Sequence, residues 1–301
     1  MFKQLLMVIS LLFWMTGCGD SVKQSDTQKV KTKQVYTVNY PLYYLTQRMA
    51  PEGIKVVFPV PKGTDPAFWQ PDTDEILSFV YADLIILNGA DYAKWISKAS
   101  LPDSRMINTA KTFEADLIHT DGAKHTHGPT GKHSPAGTAF TVWLDMQQAI
   151  KQSEAIKNAL ITLEPKQKEY IEQAYIKLKS ELNALDEAFK SAVTDREKPM
   201  VASHPVYQYL ARRYGINLKA LYWEPEMSID KKAQDNLTTL LREHPAKVMI
   251  WEGKPQKESI ELLQSMGLKS VVIEPCMNRP ETGDFLSVMR NNVKQLKNAY
   301  Q

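Results

Sequence analysis

Apolar and polar positions along this chain fall into short blocks that read in turn as strand and helix. Residues 35–39 are β-branched and aromatic and read as a strand, and Pro41 behind them suits the first turn of a helix reaching about Ala50. Residues 54–60 give the next strand. Pro71 opens a second helix with Asp72, Asp74 and Glu75 in its first turn, where negative charge complements the helix dipole. Residues 84–88 form an apolar run stopped by Gly89, the pattern of a buried parallel strand. Gly, Pro, Thr and His crowd residues 121–137, which read as a loop.

The most regular pattern lies between residues 165 and 193, which hold no internal Pro or Gly. Ile171, Tyr175, Leu178, Leu182, Leu185 and Phe189 recur at steps of four and three, with Glu and Lys between them. The spacing predicts one amphipathic helix from about Leu163 to Val193, roughly 45 Å long at 1.5 Å per residue, enough to bridge two lobes. A dimerising coiled coil would use the same pattern, but about four heptads make a short one. Beyond it the alternation resumes. Strands are expected at 200–203, 218–223, 247–251 and 270–274. Helices are expected at 205–214, from a cap at Ser228 to 243, at 257–266 and at 283–300.

Such alternation predicts an α/β fold of two lobes, each with a mainly parallel sheet flanked by helices, joined by one long rigid helix. The expected boundaries are 34–162 for the N-terminal lobe, 163–195 for the linking helix and 196–301 for the C-terminal lobe. Ligands of parallel sheets sit beyond the carboxyl ends of the strands. Here those ends include Asn39, Asp65, Asn88, His204, Glu252 and Glu274.

The N-terminus changes the picture of where the chain works. Lys3 precedes an apolar run over residues 5–14, too short to span a bilayer and suited to the core of a secretory signal, so residues 1–17 are expected to be a signal peptide. The run ends in Met15-Thr16-Gly17-Cys18, which resembles the lipobox of bacterial lipoproteins, with Met15 where Leu is usual. Cys18 is therefore the expected lipidation site, with membrane lipid as its partner. The polar residues 18–33 are expected to form a tether. Lipidation of Cys18 leaves Cys276 as the sole remaining cysteine, so the fold has to be held by its core. A formal net charge of +3 gives no support for nucleic-acid binding. No nucleophile elbow, Gly-rich phosphate loop or H-E-x-x-H motif is present, so no enzymatic activity is expected.

Several motifs, in order, resemble the zinc and manganese solute-binding lipoproteins of ABC transporters. They are Tyr40-Pro41-Leu42-Tyr43, Gly63-Thr64-Asp65-Pro66, the stretch 71–76, the stretch 82–89, Val142-Trp143-Leu144-Asp145, Ala202-Ser203-His204-Pro205 and Trp251-Glu252. The resemblance implies a two-lobed fold with little hinge motion, a divalent metal ion (zinc or manganese) as transported ligand, an ABC transporter permease as partner, no catalysis, and an exported protein anchored on a periplasmic or extracellular face. It also implies a site of three His and one carboxylate, from which this chain departs. Ala67 follows Asp65-Pro66 where the family has its first His, and Thr141 stands in the place of the second. The third His is matched by His204 and the terminal carboxylate by Glu274.

Three ways of filling this gap stay open on the residues alone. Glu252, Asp65 and Asp145 would rebuild the site around His204 and Glu274, an oxygen-rich set suited to manganese or another harder cation. Alternatively, the His-rich loop 119–133 would supply ligands from His119, His125, His127 and His133, four of the chain's six histidines, as an accessory metal-collecting segment. The third way changes the ligand: Phe68, Trp69, Trp143 and Trp251 stand near strand ends and would stack on a small organic molecule or a metal chelate in a metal-free cleft. Each residue also has a plain structural role open to it, since strand-end histidines and tryptophans commonly pack and hydrogen-bond inside a core.

Overall fold

A computed structural model describes residues 32–120 and 137–301, with the backbone alone of two short strands between them. The expected signal, most of the tether and Cys18 lie outside the described residues, as do the side chains of His125, His127 and His133.

The first half builds a four-stranded sheet from β1 (Lys33–Thr37), β2 (Ile54–Val57), β3 (Leu84–Leu87) and β4 (Met106–Asn108), all parallel, in the order β2-β1-β3-β4. Between these strands run α1 (Tyr40–Met49) and α2 (Thr73–Val80). Pro41 sits in the first turn of α1, and the Asn39 side chain caps it by accepting from the Leu42 N–H. Asp72 and Glu75 close a reciprocal capping box on α2, satisfying two donors the helix leaves open. Two short antiparallel ladders follow: β5 (His119–Thr120) pairs with β8 (Gly137–Thr138), and β6 (His125–His127) pairs with β7 (Gly131–His133).

The middle of the chain differs from the sequence reading. It is a helical hairpin, α3 (Met146–Leu163) and α4 (Lys168–Ala192), broken by a 3-10 turn over Pro165–Gln167. α3 has no counterpart among the expected elements. Its buried face mixes Gln148, Gln152 and Ser153 with Ala149, Ile150, Ile156 and Leu160, so its apolar stripe is interrupted. The long helix is α4, and its buried positions are the periodic set from Ile171 to Phe189. It packs against α3, α1 and the C-terminal helix, so it touches elements from both halves of the chain.

The second sheet repeats the first, with β9 (Met200–Ala202), β10 (Leu218–Ala220), β11 (Val248–Trp251) and β12 (Lys269–Val272) parallel in the order β10-β9-β11-β12. Its helices are α5 (Gln208–Tyr214), α6 (Lys231–Glu243), α7 (Lys257–Ser265) and α8 (Phe285–Tyr300). α6 is capped by Asp230, not by Ser228: the carboxylate accepts from the Ala233 N–H. One buried core runs from the first sheet through the α3–α4 hairpin to one face of the second sheet. A smaller core around Trp223, Trp251, Leu237 and Leu263 covers the other face. No described helix is long and apolar enough to cross a membrane.

Candidate metal centre

In each sheet the strand order reverses beside the first strand, between β1 and β3 and between β9 and β11. Loops leaving the two sides of such a point diverge and open a crevice. In the first sheet the crevice is closed by an amide network: Asn39 Nδ2 donates to Asn88 Oδ1 at 3.2 Å, and Gln152 Nε2 donates to the same oxygen and to Thr109 Oγ1. In the second sheet the equivalent point opens on a cavity of about 1330 Å³, lined from both halves of the chain.

Three donors meet there. His204 follows β9, Glu224 follows β10 and Glu252 follows β11, and one ligand atom from each lies within 4.8 Å of the others. His204 Nδ1 is 3.7 Å from Glu224 Oε1, and the imidazole is 3% exposed. Among the described residues this is the one set of three or more His, Cys, Asp or Glu side chains close enough to share a metal ion. The backbone explains the convergence. Ser203 N–H donates to Ile250 O and Trp223 N–H to Ser203 O, so the ladder continues past the strands and holds the three loops at strand spacing. Trp223 and Trp251 turn into the core, 5% and 0% exposed with rings 6.2 Å apart, which sends the following Glu of each to the opposite side.

The electrostatics suit a cation. The Glu252 carboxyl is held well above its ordinary range, first by desolvation, then by the charges of Glu224 and Asp65 and a hydrogen bond with Glu224. A divalent ion would relieve this crowding of negative charge. Glu274 and Asp65 also line the cavity, outside the three-residue set. Asp65 Oδ1 accepts from the Ala67 N–H at 2.8 Å. The Glu274 backbone is clasped by Asn292, whose amide accepts from Glu274 N–H and donates to Glu274 O, while its carboxyl is raised by desolvation and by Glu281.

The other residues singled out in the sequence have settled roles. Thr141 donates to Val206 O at 2.6 Å and ties the two halves together. Asp145 caps α3 by accepting from the N–H groups of Gln147 and Gln148. Trp143 is fully buried and donates to Pro275 O, and Trp69 and Trp251 are core residues, so of the four aromatics only Phe68 reaches the cavity. Cys276 is a buried free thiol, pushed up by desolvation and by the nearby Glu274 and Asp284. His119 is exposed and starts β5, whose last residue, Thr120, joins Gly137 and Thr138 in the cavity wall. The residue that sequence reasoning missed is Glu224. Its signal lies in the sequence, where Trp-Glu closes the strand regions at both 223–224 and 251–252.

The arrangement is a cavity lined from both halves of the chain, with a buried imidazole and two carboxylates gathered on its wall. Residues 35–299 match the family described as zinc-uptake complex component A, periplasmic (ZnuA), and this chain belongs to that family. It is 26% identical over 308 residues to the zinc-binding lipoprotein AdcA of Streptococcus pneumoniae serotype 4, covering 97% of this chain and 60% of AdcA. The chain thus spans about 60% of that relative's length. With the high-affinity zinc uptake system protein ZnuA of Bacillus subtilis it shares 24% identity over 314 residues, covering 99% and 98% of the two chains. The fold is that of the metal-dependent lipoprotein YcdH of Bacillus subtilis, with a TM-score of 0.75, 22% identity and coverage of 88% of this chain and 98% of the other.

Proposed function

We propose that this protein is the solute-binding lipoprotein of a bacterial ABC importer, and that its cargo is a divalent metal ion, zinc or manganese, captured in the cavity between the sheets. The observation that carries this reading is the meeting of His204, Glu224 and Glu252 at the switch point of the second sheet. Glu274 and Asp65, in the wall of the same cavity, complete the negative surroundings. Membership of a zinc-uptake family and relatives named for zinc binding and zinc uptake support it.

In this reading residues 34–162 and 196–301 are the two lobes and 163–195 the link. Residues 1–17 direct export, and Cys18 carries the lipid anchor at the head of the tether. The permease receives the ion, no nucleic acid takes part, and no catalytic step is required. The His-rich segment 119–133 is accessory, rooted where Thr120 and Gly137 border the cavity.

The test is elemental analysis of the purified protein after dialysis against excess zinc or manganese and removal of loose metal. Wild type should retain one ion per chain that His204→Ala releases. Equal retention by wild type and variant would refute the assignment.

A further inference from the structure

The donor set on the page differs in kind from one built on imidazoles. We infer that Glu224 is the specificity-determining ligand of this site, and that with His204 and Glu252 it makes a one-imidazole, two-carboxylate centre that favours manganese(II) relative to zinc. The inference rests on the metal-capture reading above and names the ion that reading leaves open.

The geometry that commits Glu224 to the site is independent of its charge. β9 lies between β10 and β11, so His204, which follows β9, has on either side a strand whose following segment carries a carboxylate. The loops carrying the carboxylates are stapled to each other: Gln256 N–H donates to Pro225 O at 3.3 Å, and Gln256 Nε2 donates to Glu226 O at 2.6 Å. A β-carbon on Gly253 would lie 3.3 Å from the Pro225 ring, so the absence of a side chain lets the two loops close up. These contacts hold together the two loops that carry Glu224 and Glu252.

The chemistry of the set then decides the ion. Carboxylate and water suit manganese, whereas imidazole and thiolate raise affinity for zinc. Zinc is best served by four protein donors in a tetrahedron. The second sheet offers three facing a wide cavity, where water can complete the six-fold shell that manganese accepts. Zinc binds more tightly than manganese at almost any nitrogen and oxygen site. The selection therefore appears in the ratio of the two affinities and not in their order.

Competition titrations with zinc and manganese on wild type, Glu224→Gln, Glu224→Asp and Glu224→His test this. Replacing Glu224 by Gln should weaken manganese about tenfold or more, and weaken zinc less. The Asp variant keeps the charge and should keep the wild-type ratio at lower affinity. Glu224→His adds a second imidazole and should raise the preference for zinc over manganese about tenfold. Melting curves identify any variant that fails to fold, and the remaining two still decide the matter. If wild type binds metal and the ratio is unchanged in the Gln and His variants, the role of Glu224 is overturned while the metal-capture reading stands. If wild type binds neither ion, both fall.

Discussion

At the scale of single residues, the site is under electrostatic tension. Glu252 is half-buried, faces the charges of Glu224 and Asp65, and has its carboxyl raised above the ordinary Glu value of 4.5, chiefly by desolvation. A raised carboxyl contributes stability that is fully present below its unfolded value and is lost as pH rises through the folded value. The metal-free protein should therefore lose stability as pH climbs through the range above the ordinary value of 4.5, and bound metal should restore it. Glu252→Gln removes the ionisation, so this variant should melt higher than wild type at the upper end of that range while losing metal-induced stabilisation. Thermal melts at several pH values, with and without manganese, check both signs. A variant that melts lower than wild type at every pH would show that Glu252 serves packing and not the ligand. The same scale shows what the sequence hid. That His204, Glu252, Asp65 and Glu274 stand in segments following strands could be read from the sequence, because strand ends are legible. Glu224 follows the strand expected at 218–223 in the same way, and what stayed hidden is that this strand stops at Ala220 and the chain takes an irregular path to Trp223.

At the scale of elements, the regular parts of the fold could be read and the polar interior could not. Capping signals located α1 and α2, and the periodic stripe from Ile171 to Phe189 located α4. α3 escaped because hydrogen bonding, not apolar area, decides part of its burial: Gln152 is fully buried in the amide network at the first switch point. Missing α3 and the turn at Pro165 also stretched the expected linking helix beyond its 25 residues. A second polar cluster ties the hairpin to α5. Asp186 on α4 accepts from Arg213 Nε at 3.0 Å and Nη2 at 2.5 Å, and from the Gln147 amide and the Tyr214 hydroxyl. Desolvation opposes its charge, but hydrogen bonds from Arg213, Lys190 and Gln147 prevail and lower the carboxyl to about 2. A depressed carboxyl stabilises the fold above its unfolded value, and that contribution is lost as pH falls from 3.8 towards about 2. Asp186→Asn should cost about 3 kcal/mol at neutral pH, because it removes the closer charge partner of Arg213 and leaves only Asp145 at 3.7 Å. It should also flatten the acid limb of the stability curve. Chemical denaturation at neutral and acid pH measures both effects, and an unchanged acid limb would remove Asp186 from the account.

At the scale of the whole molecule, one core passes from the first sheet through the α3–α4 hairpin into the second sheet, so the two lobes are braced against each other. Polar ties reinforce it: Tyr209 OH donates to Ala139 O and accepts from the Ile118 N–H, Tyr40 N–H donates to Met277 O, and Asn278 Nδ2 donates to Pro61 O and Thr64 O. The last of these anchors the loop that carries Asp65 to the segment following Glu274. Arg279 adds to it by donating to Val60 O and Phe58 O. A frame of this kind fixes the cavity walls. The most direct test is a crystal of the purified protein soaked in manganese, with diffraction recorded at a wavelength where manganese scatters anomalously. The account predicts one strong anomalous peak in the cavity, about 2.0–2.3 Å from the His204 imidazole and from carboxylate oxygens of Glu224 and Glu252. A cavity without a peak at saturating manganese, or a peak that none of these three residues touches, would contradict it.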